Sequence, residues 1–141
     1  MATVHEKMHP FPTGLKLLVG FFLFGTAMVS LTLFLLAFPG TALDSLWRLN
    51  PDAHDGFQLL GKLGFLFMAV VGSSCAAAAV GLARRAEWGR ITAIVVLAVN
   101  LLGDLLNALV RQDYRALIGL PIGGALIAYL CRRRVRDFFK A

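Results

Sequence analysis

Residues 91–111, ITAIVVLAVNLLGDLLNALVR, constrain this chain more than any other stretch. The run is long and apolar enough to cross a bilayer, which takes about 20 residues of helix. Inside it stand Asn100, Asp104 and Asn107. At ~100° per residue these three fall within about 60° of one another, and Arg111 lies on the same stripe. A carboxylate in hydrocarbon costs about 3 kcal/mol even on lenient insertion scales. The stripe is therefore expected to face other protein or water, pointing into a bundle of helices.

The rest of the chain agrees with a membrane setting. Of 141 residues 58% are hydrophobic, against roughly 45–50% for a soluble domain. The excess is gathered into four runs, which predict spans at 15–38, 57–82, 91–110 and 116–131, followed by a basic tail at 132–141. The first run exceeds the ~7–15 residues of a signal-peptide core, so it reads as a retained helix. The expected fold is an all-α, four-helix transmembrane bundle forming one domain.

Local signals add detail. Pro39-Gly40 ends the first span. Thr41 and Asp44 have capping-box spacing, and Leu43, Leu46 and Trp47 follow at helical spacing, so residues 42–49 read as a short amphipathic interfacial helix. Asn50-Pro51-Asp52 reads as a fresh helix start, with Asn as N-cap and Pro in the first turn. A single helix is expected from there to about Leu82. Its length, roughly 48 Å at ~1.5 Å per residue, exceeds the membrane core, so its first turns should stand clear. Gly72 and Ala76 on the second span, and Gly119 and Gly123 on the fourth, are small residues spaced for close helix packing. Pro121 is expected to kink the fourth span and free the carbonyl of Leu117.

The net charge is +6. Because the basic residues cluster at helix ends, they read as topology signals and contacts to anionic lipid, not to nucleic acid. Arg84, Arg85, Arg132, Arg133, Arg134 and Arg136 are the candidate headgroup contacts. In the tail, Val135, Phe138 and Phe139 share one face, which suits a helix resting on a membrane surface. Ten Lys and Arg fall on the side of the two termini and four on the other. That count puts both termini in the cytoplasm.

Catalytic and metal signals are weak. Cys75 and Cys131 make no CxxC, all three histidines lie outside the spans, and His5 and His9 lack a third ligand nearby. His54 and Asp55 sit in an exposed first turn. The candidate site is the polar cluster Asn100, Asp104, Asn107 and Arg111, with Ser30 of the first span at similar depth and Gly119 to Pro121 opposite. Three roles compete for it: Asp104 fixes packing, exchanges protons or a cation, or acts as a general base. The first is favoured and the last least. One acid in a single copy is a thin transport path, and membrane enzymes normally show paired acids, a nucleophile–base pair or metal ligands. No cofactor is indicated.

At WGR (88–90), NLLGD (100–104) and the closing YLCRRRVRDFF, the C-terminal half, residues 84–139, resembles small four-helix bacterial inner-membrane proteins of uncharacterised function. The resemblance implies an integral membrane protein and adds no activity. Small multidrug transporters have a similar size and helix count but carry an essential acid in the first span, which is missing here. The sequence reading is thus a multi-pass bacterial inner-membrane protein. It would serve as an interaction, assembly or scaffold subunit, with a membrane-protein partner or a second copy. A small oligomeric transporter or channel using Asp104 is the alternative.

Overall fold

A computed structural model describes residues 10–111, without the side chain of Arg111, and residues 117–140. Among the described residues the regular structure is entirely helical. The elements are α1 (Thr13–Ala37), a 3-10 helix (Ala42–Leu49), α2 (Pro51–Leu60), α3 (Lys62–Ala83), α4 (Glu87–Arg111), α5 (Gly119–Cys131) and α6 (Arg133–Lys140). Three of them, α1, α3 and α4, are long and apolar enough to cross a membrane. Their outer faces carry large apolar side chains in the open: Leu17 is 71% exposed and Phe24 66%. In water such a surface would associate; in lipid it is the ordinary boundary. Hydroxyls on these helices are satisfied locally. Thr26 donates to the Phe22 carbonyl at 2.8 Å and Ser73 to that of Ala69 at 2.7 Å, which suits an apolar setting.

The α5 helix has 13 residues, about 20 Å at ~1.5 Å per residue, short of the hydrocarbon core. Pro121 is the third residue of α5, in its first turn, where backbone N–H groups have no acceptor within that helix.

The single long helix expected from Pro51 to Leu82 is broken. Gly61 takes φ +51° and ψ −125°, a conformation that β-carbon sterics deny most residues, and separates α2 from α3. The start of α2 is as the sequence indicates: Asn50 Oδ1 accepts from the Ala53 N–H at 3.1 Å, with Pro51 in the first turn. The Thr41–Asp44 capping box does not close. Thr41 makes no side-chain cap, and the Asp44 carboxylate accepts from the N–H of Gly40 instead. The segment after it winds as a 3-10 helix.

The long helices pack in chain order, α1 on α3, α3 on α4, α4 on α5. Their buried contacts gather at one end of the row. Leu15, Leu18 and Phe22 of α1 meet Ala78, Ala79 and Leu82 of α3, Ala93 and Leu97 of α4, and Leu130 of α5. There the Tyr129 ring lies against Gly14, bringing α5 back to α1. Val135 and Phe139 of α6 are 5% and 6% exposed in the same cluster. The apolar face of the tail therefore packs on the helices rather than standing free for a membrane surface, while Arg132, Arg133, Arg134 and Arg136 point outward. This end holds most of the basic residues and is called the basic end below; the opposite end carries the 3-10 helix and α2 and is called the loop end.

Candidate functional site

The buried stripe of α4 runs through Ala93, Leu97, partly covered Leu101 and Asp104, and Ala108. Asn100 and Asn107 lie about 60–80° off its centre at ~100° per residue. They are exposed, and only Asp104 is half-buried. The polar stripe thus does not point into a closed bundle. It runs along one edge of the α4–α5 contact, because the positions that meet α3 and α5 are taken by Ala and Leu.

Two glycines of α5 permit that contact. A β-carbon on Gly119 would stand 2.5 Å from Asp104 Oδ2, and one on Gly123 would stand 2.6 Å from Leu101 Cδ1. The Gly119/Gly123 spacing is therefore used inside the chain, seating α5 on α4. Between the helices lies a recess of about 380 Å³, walled by Asn100, Asp104 and Gly119 together with Leu97, Leu126 and Phe21 of α1. It holds one carboxylate and one amide beside apolar surface, enough to hydrogen-bond a polar group from outside. Among the described residues no group of three or more His, Cys, Asp or Glu is placed to hold a metal ion.

The other site residues fall elsewhere. Ser30 is exposed and donates to the Thr26 carbonyl of its own helix at 2.8 Å, and it does not line the recess. The side chain of Arg111 and residues 112–116 lie outside the described residues, so the expected place of Arg111 in the polar cluster does too. Gly72 meets Val29 of α1, where a β-carbon would stand 2.9 Å from Cγ1; Ala76, half-buried, lies one turn on along the same helix. Arg85 is exposed and lies over two rings, 4.7 Å from the Phe138 centroid and 5.6 Å from that of Phe11. Arg84 is exposed.

Two contacts at the basic end were not paired in the sequence reading, although Gly81 is one of the small residues of the second span spaced for close packing. Gly81 and Gly89 put the backbones of α3 and α4 in direct contact. Arg90 grips both oxygens of Glu87 and donates to the Leu130 carbonyl at 3.3 Å, tying the start of α4 to the end of α5. The glycine pair has a sequence signal, two glycines flanking a tight basic turn. The Leu130 contact, 40 positions away, has none.

No family model matches the chain, and no curated protein or solved structure matches it.

Proposed function

We propose that this chain is a non-enzymatic assembly subunit of a bacterial inner membrane. In this reading α5 completes a four-helix bundle, the segment at 42–49 rests at the outer interface, and both termini are cytoplasmic. The excess of basic residues at the end where α1 begins and α6 packs supports that orientation. The C-terminal likeness to small four-helix inner-membrane proteins is part of the same proposal.

One observation carries the functional reading: Asn100, the 14th of the 25 residues of α4, is exposed beside half-buried Asp104. At mid-membrane an amide facing lipid leaves its donors and acceptor unpaired, at a cost of several kcal/mol. A helix of another subunit laid over the α4–α5 edge removes that cost. Intersubunit hydrogen bonds of this kind contribute about 1 kcal/mol each. The same recess favours a second reading, a small oligomeric transporter in which Asp104 takes a proton or cation.

The test is an Asp104→Asn variant purified in detergent beside the parent, with thermal stability and oligomeric state read together, and Asn100→Leu as companion. An assembly subunit predicts that Asp104→Asn lowers stability or changes the assembly. Asn100→Leu should weaken the assembly while the monomer stays folded. If Asp104→Asn leaves assembly intact and stability equal or higher, the scaffold reading fails, and proton or cation flux in liposomes decides the second.

A further inference from the structure

A second recess, of about 390 Å³, opens at the loop end. Its position follows from the chain path: α1 finishes there, α3 begins there, and the 3-10 helix and α2 cover it. Since α1 and α3 are long enough to cross a membrane, the recess lies at the depth where lipid headgroups meet acyl chains.

The walls differ chemically. Leu36 and Phe65, near the ends of the two spanning helices, make an apolar floor, and Phe65 is 44% exposed. On one side stands Asp44. One of its oxygens accepts from Gly40, and the other is buried with no hydrogen-bond partner among the described residues. Beside it the Trp47 ring meets those of His54 and Phe57, tilted to both, with centroids 5.0 and 6.1 Å away. A carboxylate next to aromatic faces favours an ammonium group. On the other side stands Lys62, the first residue of α3. The N–H groups of Lys62 and Leu63 belong to the first turn of α3 and have no acceptor within that helix, because Gly61 separates it from α2. An ammonium side chain beside free helix N–H groups favours a phosphate. Asp44 and Lys62 line the same recess but form no ion pair with each other among the described residues.

We infer that this recess is a binding site for a zwitterionic phospholipid with a primary ammonium, the ethanolamine type. Its phosphate meets Lys62 and the start of α3, its ammonium donates to Asp44 against Trp47, and its chain lies along Leu36 and Phe65. The inference does not depend on the assembly reading of α4 and α5. It is also distinct from attraction of anionic lipid to the basic end, because here the site supplies one charge of each sign.

The experiment is native mass spectrometry of the full chain, titrated with phosphatidylethanolamine, phosphatidylglycerol and phosphatidylcholine of identical acyl chains. The expected result is about fivefold or greater preference for phosphatidylethanolamine over each of the others, at least the net size of one ordinary hydrogen bond. Asp44→Asn should remove the preference over phosphatidylglycerol. Lys62→Gln should weaken phosphatidylethanolamine and phosphatidylcholine alike. Melting temperatures close to the parent's identify variants that remain folded, and the preference of the parent stands as a test without them. Equal retention of the three lipids, preference for phosphatidylglycerol, or folded variants that bind as the parent does would each overturn the assignment.

Discussion

At the basic end, Gly81 and Gly89 let α3 and α4 touch backbone to backbone, and Leu15, Leu18, Leu82 and Leu130 are at most 1% exposed. Toward the loop end of the same helices, Gly103 has nothing within 4 Å of where a β-carbon would stand, and the side chains along α4 are mostly open. The three spanning helices are each apolar enough along their length to cross a membrane, so that property alone does not say where they close on one another. What separates the two ends is the size of the residues at the contacts. In lipid there is no hydrophobic gain from bringing helices together, so close approach and packing decide where a bundle closes. The basic end closes because small residues sit on both facing helices, whereas near Gly103 a small residue faces nothing.

The sharpest way to break this comparison is to make one substitution at both ends. A β-carbon at Gly89 would overlap the backbone of Gly81, which cannot give way as a flexible side chain would. Gly89→Ala should cost about 3 kcal/mol, the upper range for overpacking. Gly103→Ala should be neutral or stabilise by up to about 1 kcal/mol, the helix-propensity gain. Thermal unfolding of both variants in one detergent checks this. Similar midpoints for the two would mean that the α3–α4 contact does not hold the bundle.

A middle-sized effect is expected at Arg90. Its guanidinium grips Glu87 with two N–H groups and spends a third on the last turn of α5, a geometry that needs a planar fork. Arg90→Leu should lower the midpoint by a few degrees, less than Gly89→Ala. Arg90→Lys should recover only part of it, since one ammonium does not reach all three acceptors. Full recovery by Lys would show that charge alone matters here, and that α5 is held by packing.

These residues also mark how far the sequence could be read. The three long helices were legible because an apolar run of this length has few alternatives, and the Asn50-Pro51 start because its cap chemistry is local. The break at Gly61 was hidden. Glycine within an apolar helical pattern is ordinary, and only the coverage of the recess by α2 distinguishes this one. The polar stripe of α4 was visible as a stripe, but periodicity gives relative angles and not the direction of a neighbour. Asn100 and Asn107 therefore proved to lie on an edge. The arginines were legible as a basic cluster and not as individuals: Arg132, Arg133, Arg134 and Arg136 are outward, Arg90 is a tie between helices, and Arg85 lies on aromatic rings.

Arg85 gives the smallest effect and the finest test of how the basic end is closed. It ends α3 in a Schellman arrangement, with Ala86 N–H bonded to the Gly81 carbonyl at 2.9 Å and Arg85 N–H to that of Leu82 at 3.2 Å. The position takes φ +56°, where glycine is usual and another residue costs about 1 kcal/mol. Against that cost, the guanidinium lies over Phe138 of α6 and Phe11 before α1, contacts worth about 0.5–1 kcal/mol each at an exposed site. Arg85→Gly relieves the strain and loses both contacts, so the unfolding midpoint should hardly move. The change should appear locally, as faster hydrogen exchange in α6, although buried Val135 and Phe139 still anchor that helix. A clear rise in midpoint with α6 exchange unchanged would show that the ring contacts contribute nothing, and that the tail is held by its apolar face alone.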